Sequence, residues 1–182
     1  MKEFLQEAKK LAYGENETSP IPLTDLITEI AKRIAKELGA NVDIVIAGTL
    51  LMDCALGQAL KENRRNEHIK MSLDKASELI DNSTLSEDEK ENVRHCILEH
   101  HGANNFYSLE SEICCNADCY KFISVKGFSF WIRYGRNMSF EDMVNLLEEK
   151  VDEKWNALSL YICKKELVEQ HNLIIEFLKN LK

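Results

Sequence analysis

The chain has 182 residues, of which 45% are hydrophobic, enough to bury a sizeable core within a single domain. Its formal net charge of −8 comes from 31 acidic and 23 basic residues, and this acidity argues against nucleic-acid binding because the surface would repel phosphate backbones. Seven Gly and two Pro supply too few turns for a β-sandwich, so the composition predicts an all-α fold.

About seven helices are predicted, all within one domain. Apolar residues at helical spacing predict a helix over about 2–13 and a second over about 23–38. A third begins after Asn41 and extends to about Ala55. Its stretch VDIVIAGTLLMD is apolar on nearly every side, as expected of the central helix of a bundle.

The middle of the chain continues this pattern after the polar segment LGQALKENRRN, which is predicted to be a loop or a loop with a short helical turn. Helices are predicted over about 67–81, from Ser86 to Gly102, and from about Ser108 onwards. Ser86 and Glu89 form a capping box, which marks where the second of these helices begins.

The last part of the chain starts with the aromatic segment GFSFWIRYGRN, which is predicted to be a loop. Ser139 then caps a long helix to about residue 160, and an amphipathic helix covers about 164–181. Residues 139–181 are thus expected to form a C-terminal helical extension of the single domain 1–182.

Neither secretion nor membrane insertion is indicated. The first residues, MKEFLQEAKKLAYG, are charged and amphipathic, and no run of about 18 apolar residues is present. We therefore expect a soluble, cytoplasmic protein with no membrane partner. The six Cys are expected to be reduced thiols, and the group Cys114, Cys115 and Cys119 lacks the paired spacing typical of zinc sites.

Several ionisable residues fall on apolar helix faces. Asp53 continues the inward stripe of the third helix, and Asp118 lies between apolar residues one turn to either side. His100 follows the apolar face of its helix, His101 is its neighbour, and His68 begins a helix. Because a buried carboxylate is costly unless it is paired or binds a metal, these residues are candidates for a shared site.

Carboxylates and imidazoles that converge in one bundle suit a divalent metal such as Mn²⁺, Fe²⁺ or Zn²⁺. The pattern therefore predicts metal ligands at Asp53, His68, His100, His101 and Asp118. Two alternatives stay open: each histidine is an ordinary core or boundary residue, and Asp53 pairs with a Lys or Arg instead of a metal.

The order of these motifs resembles the HD superfamily of metal-dependent phosphohydrolases over about residues 20–125. TDLITEIAKRIAKELGANVDIVIAGTLLMDCALG is similar to the family's first helices and His-Asp pair, and NEHIKMSLDKASELI to the segment with an intermediate His. VRHCILEHHG followed by ICCNADCYKF is similar to the later His and Asp segments. The resemblance implies an HD-like bundle that holds a divalent metal (Mn, Fe, Zn or Mg) and hydrolyses phosphate esters or nucleotides.

Two primary ligands of the family pattern are absent. The first His falls at Leu23 and the His of the His-Asp pair at Met52, so the signature reads Met52-Asp53. Leu cannot bind a metal, and the Met thioether is a weak ligand for hard divalent ions. The resemblance therefore implies an eroded metal site with weak or no catalysis.

Three outcomes follow for this site. In the first, the domain binds a ligand or partner without catalysis. In the second, one metal is held through His68, His100 or His101 and a bridging Asp53 or Asp118, and slow hydrolysis of a small phosphorylated molecule survives. In the third, the site is dry and purely structural, with Asp53 and Asp118 paired to the histidines in hydrogen-bonded ion pairs. The catalytic candidates are Asp53 and, for charge neutralisation on the phosphate, Lys121, one turn after Asp118. Arg64 or Arg65 are alternatives for the second role.

The competing function is a ligand-binding or protein-interaction module. Aromatic and Arg side chains are typical interface anchors, and GFSFWIRYGR would make a homodimer through Phe128, Phe130, Trp131, Tyr134, Arg133 and Arg136. The alternative is that these aromatics pack the C-terminal helices against the bundle.

Overall fold

The computed structural model describes residues 1–14, 21–134 and 138–181, without the side chains of Ile21, Pro22 and Tyr134. The described residues form helices and turns, with no strand among them, which confirms the all-α prediction. The helices are α1 (Lys2–Gly14), α2 (Ile21–Leu38), α3 (Val42–Leu51), α4 (Leu56–Lys61), α5 (His68–Asp81), α6 (Glu87–Leu98), α7 (Leu109–Ile123), α8 (Val125–Tyr134), α9 (Phe140–Ala157) and α10 (Tyr161–Lys179). A 3₁₀ turn, Arg65–Glu67, lies between α4 and α5.

Two apolar helices form the centre of the bundle. The predicted central helix, α3, packs against α1, α2, α6 and α7. Every residue of α7 from Ile113 to Ile123 is buried, because this helix is covered by α2, α3 and α6 on one side and by α8, α9 and α10 on the other. The polar residues in this stretch of α7 are therefore largely shielded from solvent.

Small side chains let the central helices approach closely. A Cβ atom at Gly48 would lie 2.4 Å from Cys96 Cβ and 2.7 Å from Cys114 Sγ, so only glycine fits there. All six cysteines are buried and none forms a disulfide, in agreement with the prediction of reduced thiols.

The predicted helix starts are present as hydrogen-bonded caps. Ser86 and Glu89 form the capping box of α6, Ser108 caps α7, and Ser139 caps α9. These starts depend on contacts within three residues, which is why local sequence was sufficient to find them.

Two helices end earlier than the sequence pattern predicted. The third helix ends at Leu51 rather than near Ala55, because the Ala55 N–H donates to Ser72 Oγ at 3.2 Å and leaves the helical ladder. The helix α6 ends at Leu98, and a turn follows to Gly102, whose φ of 111° is readily adopted only by glycine.

Residues 127–134 of the aromatic segment predicted as a loop belong instead to the helix α8, and residues 135–137 lie outside the described residues. Ser124 Oγ accepts a hydrogen bond of 3.0 Å from the Gly127 N–H in its first turn. A Cβ atom at Gly127 would lie 2.2 Å from the Tyr120 carbonyl oxygen, so this glycine permits close packing of α8 on α7 and does not mark a loop.

One stretch of the described residues, Val42–Lys61, is long and apolar enough to span a membrane, with 20 residues and a hydropathy of 1.5. It contains α3, a turn and the short helix α4, and 67% of its apolar window is buried inside the bundle. Such burial is typical of the core of a soluble protein. The segment LGQALKENRRN contains the short helix α4, which confirms the second of the two predictions for it, a loop with a short helical turn.

Candidate metal and phosphate site

The ionisable residues predicted from the sequence meet where several helices end. Asp53 lies in the turn after α3, His68 is the first residue of α5, and His100 and His101 lie in the turn after α6. Asp118 lies within α7. The early ends of α3 and α6 therefore place three of these residues in turns rather than on the helices where they were predicted.

The three histidines form a compact group. The ring centroid of His101 lies 5.0 Å from that of His68 and 4.4 Å from that of His100. One ligand atom from each ring can be chosen so that all three lie within 4.8 Å of one another. Asp53 Oδ1 completes the group, at 3.6 Å from His68 Nε2 and 3.5 Å from His100 Nε2.

Backbone carbonyls fix two of these rings. His68 Nδ1 donates to the Arg65 carbonyl and His100 Nδ1 to the Ile97 carbonyl, each over 2.7 Å. A carbonyl oxygen can only accept, so Nδ1 carries the proton, and in the neutral ring Nε2 presents a lone pair to Asp53 Oδ1. His100 Nε2 is buried and has no hydrogen-bond partner among the described residues.

Burial sets the charge of two of the imidazoles. It lowers the pKa of His68, although the Asp53 carboxylate opposes the shift. It lowers the pKa of His101 to about 3, with the adjacent His100 as the second cause. His68 and His101 are therefore neutral at pH 7, the form in which imidazole binds metals.

Two buried lysines hold the carboxylates. The Lys121 ammonium contacts Asp53 Oδ2 and lies 2.6 Å from Asp118 Oδ1. Lys154 Nζ lies 2.7 Å from Asp118 Oδ2. Two negative and two positive charges thus balance within one buried cluster, as burial of ions requires.

The pairing keeps all of these groups ionised. Burial is the largest single influence and raises the pKa of Asp53 and of Asp118, but the neighbouring cationic groups together outweigh it, with Lys121 the strongest of them, and bring both pKa values below their usual range. Burial likewise lowers the pKa of Lys121, but Asp118 and Asp53 outweigh it and bring the pKa above its usual value.

The donors at the histidines fit a divalent ion. Metal–nitrogen bonds of about 2.0–2.1 Å in a tetrahedral site put neighbouring ligand atoms about 3.4 Å apart. The two distances from Asp53 Oδ1 to the imidazole nitrogens, 3.5 and 3.6 Å, are close to that value. When both rings are neutral, their Nε2 lone pairs and the carboxylate oxygen form an acceptor-only group, which a cation would complete.

The two positions at which the resemblance to the HD superfamily expects further metal ligands do not fit a metal. Leu23 and Met52 are each 1% exposed and belong to the hydrophobic core. The cavity beside Asp53 and Lys121 at this position measures about 10 Å³. A single water molecule needs about 10–15 Å³, so a metal with coordinated water has no room there.

A larger cavity of about 480 Å³ opens beside the cluster. Its basic lining residues are Arg65, Lys121, Lys150 and Lys154. Its apolar wall includes Trp131, whose ring stacks on Phe122 with centroids 4.8 Å apart and an angle of 17°. The remaining apolar lining residues are Leu56, Leu60, Ile69, Met138 and Leu146. A cavity of this size and composition suits a small anionic molecule with an apolar part.

The sequence reasoning missed Lys150 and Lys154. The signal for Lys154 was available, since it continues the buried face of α9 at helical spacing after Val144, Leu147 and Val151. Lys150 is nearly buried as well and pairs with Glu153.

The two arginine candidates lie in different surroundings. Arg65 lines the large cavity. Arg64 pairs with Glu62 and Glu67 in an exposed cluster and does not line that cavity.

The aromatic segment packs partly inside the molecule: Phe128 is buried, Phe130 and Trp131 are half-buried, and Ile132 and Arg133 are exposed. Phe128 is buried with its ring 6.0 Å from that of Phe177 on α10, and Trp131 stacks on Phe122. These contacts agree with the packing interpretation of the segment. The side chain of Tyr134 and the whole of Arg136 lie outside the described residues, and the homodimer stays a prediction.

No family model and no curated protein matches the sequence. Two solved structures are similar to the whole fold. A predicted HD superfamily hydrolase from an uncultured Thermotogales bacterium is 16% identical, with a TM-score of 0.67 over 100% of this chain and 90% of that one. Bacillus subtilis YpgQ is 13% identical, with a TM-score of 0.65 over 98% of this chain and 95% of that one. At these identities the likeness shows the fold.

Proposed function

We propose that this chain, which has the fold of HD superfamily hydrolases, binds one divalent metal ion and slowly hydrolyses a small phosphate ester beside it. The proposed ligands are His68, His100, His101 and Asp53. The observation that carries the proposal is that the Nε2 atoms of two carbonyl-anchored histidines converge on Asp53 Oδ1. Ring anchoring of this kind is typical of metal-binding histidines.

The two oxygens of Asp53 have different partners in this proposal. Oδ2 pairs with the Lys121 ammonium, while Oδ1 faces the histidines and is available to the metal. Asp118 was predicted as a ligand, but both of its oxygens are paired with lysines. We therefore assign Asp118 the role of positioning Lys121 and Lys154.

The bound ion would supply Lewis-acid polarisation of a phosphoryl oxygen and a water of lowered pKa. Lys121 stays protonated, so it neutralises charge on a phosphate and does not act as a base. Asp53 stays ionised, so it accepts a hydrogen bond from water and does not protonate a leaving group. Lys150 and Arg65, on the cavity lining, would bind the phosphate, and the Trp131 wall would cover the apolar part of the ester.

Hydrolysis is expected to be slow because one metal position of the family pattern is closed. In sites with two metals, the ions stabilise both the attacking and the leaving oxygen. Here Leu23 and Met52 are buried in the hydrophobic core and neither offers a ligand atom suited to a hard divalent ion, so this chain would provide only one of the two.

Metal content tests the proposal directly. The protein expressed with added manganese, iron and zinc, and purified without chelator, should hold about one metal ion per chain by elemental mass spectrometry. His100→Ala should lose most of this metal, since it removes a buried ligand. His95→Ala is the matched control, because His95 lies on α6 with Glu91 and Glu99 as partners and should keep the metal.

A wild-type protein that takes up no metal would disprove the proposal. If metal binds, the hydrolase part is tested with an aryl phosphate such as p-nitrophenyl phosphate. Equal rates for the loaded wild type and for His100→Ala would show that the metal has another role.

A further inference from the structure

We infer that the ammonium group of Lys121 is a built-in replacement for a metal ion between Asp53 and Asp118. The chain would then have one exchangeable metal, at the histidines, and one permanent cation that belongs to the protein. The inference rests on the proposed function at one point only. The experiments below measure any additional metal ion relative to the ion bound at the histidines.

The geometry puts this ammonium where a bridging cation would lie. Lys121 Nζ contacts an oxygen of Asp53 and lies 2.6 Å from an oxygen of Asp118. The two carboxylates come from different elements, the turn after α3 and the middle of α7, and the ammonium joins them. Lys121 is only 6% exposed, so water has little access to its ion pairs with the two carboxylates.

The two lysines occupy three of the four carboxylate oxygens of the cluster and leave only Asp53 Oδ1, which faces the histidines. Lys121 and Lys154 together neutralise the two carboxylates, and Lys154 is itself only 1% exposed. A divalent ion held by Asp53 Oδ2 and Asp118 Oδ1 would have to occupy the position of the Lys121 ammonium, which contacts both oxygens. The ion and the lysine therefore exclude each other.

The apolar neighbours fit the same conclusion. An ammonium group needs only the acceptor oxygens of Asp53 and Asp118, whereas a hard divalent ion held by two carboxylates also needs space for coordinated waters. Leu23 and Met52 can therefore be core residues, and the space of about 10 Å³ beside Lys121 holds no hydrated ion.

Removal of the ammonium should expose a second metal site. Lys121→Ala frees two carboxylate oxygens and the volume of the lysine side chain. After equilibration with Mn²⁺ and gel filtration, this variant should hold about one ion more per chain than the wild type. Lys154→Ala is the matched control: it removes an equally buried lysine from Asp118 but leaves Lys121 between the carboxylates, so it should gain no ion.

The double variant His100→Ala, Lys121→Ala separates this inference from the proposed function. It lacks a ligand of the histidine site, yet it should still hold about one ion more than His100→Ala alone. Loss of metal from His100→Ala reports on the proposed function, and the increment on removal of Lys121 reports on the inference.

Folding provides a second readout, because unpaired buried carboxylates destabilise the fold. If Lys121→Ala is unfolded in EDTA by circular dichroism, addition of Mn²⁺ should restore its helical signal. The inference is overturned by a folded Lys121→Ala that holds no more metal than the wild type. It is equally overturned by an unfolded variant that Mn²⁺ does not rescue.

Discussion

At the scale of single residues, the chemistry of the site depends on which atom of each side chain faces which neighbour. Asp53 gives one oxygen to an ammonium group and the other to imidazole nitrogens. His68 and His100 each use Nδ1 for a backbone carbonyl, which leaves Nε2 for the centre of the cluster. The same residue types in other orientations would form ordinary buried ion pairs.

The metal-free protein is expected to lose stability as the pH falls below about 6.5, the pKa of His in an unfolded chain. Burial lowers the pKa of His101 to about 3 and lowers that of His68 in the folded state. Below the unfolded pKa the unfolded state binds more protons, so the free energy of unfolding decreases as the pH falls towards the folded value.

Urea unfolding in EDTA at about pH 7.5, 6 and 4.5 measures this dependence. His101→Gln should make it shallower, because glutamine does not titrate. A wild-type free energy of unfolding that is constant over this range would contradict the burial of neutral imidazoles.

At the scale of the helices, two glycines decide how closely elements approach. Gly48 lets α3 contact α6 and α7, and Gly127 lets α8 contact the backbone of α7. The second glycine explains the wrong loop prediction for the aromatic segment, since glycine is a turn signal in local sequence and a packing device in this structure.

Gly48→Ala should destabilise the fold by about 1–3 kcal/mol, the usual cost of extra volume in a packed core. The added methyl would overlap Cys96 and Cys114, so α3 would have to move. Gly14→Ala is the control, as a Cβ atom there meets nothing within 4 Å. Urea midpoints should fall only for Gly48→Ala, and equal midpoints would argue against the close packing.

At the scale of the whole molecule, the C-terminal helices are part of the site. The helix α9 packs on α7 and carries Lys154 to Asp118, and α10 packs on α7, α8 and α9. Buried apolar residues of α9 and α10 belong to the same hydrophobic core as α3 and α7. The predicted single domain therefore implies one cooperative unfolding unit.

The two tryptophans can test this cooperativity. Trp131 on α8 stacks on Phe122 of α7, and Trp155 on α9 stacks on His171 of α10 at 4.1 Å. In Trp131→Phe and in Trp155→Phe, the urea transition of the remaining tryptophan fluorescence should coincide with the loss of helical circular dichroism. Separate transitions in either variant would show that the C-terminal helices unfold on their own.

Local sequence predicted much of the fold because helix formation depends on contacts within about four residues. The capping serines, the apolar stripes and the inward polar residues can all be recognised from residues within that distance along the chain. The end of α3 was placed too late because the Ala55 N–H donates to Ser72 Oγ, 17 residues further along the chain. Lys154 was missed although its helical spacing was visible, because a lysine is normally assigned to the surface.

The sequence alone determined that this chain is helical and that its Asp and His residues occur in the order of the HD pattern. Only the tertiary structure decided what those residues do. Lys121 and Asp53 are 68 positions apart, so their pairing depends on how α7 packs against the turn after α3. Whether a buried carboxylate binds a lysine or a metal is set by which cation the packing brings within reach, and no local pattern contains that information.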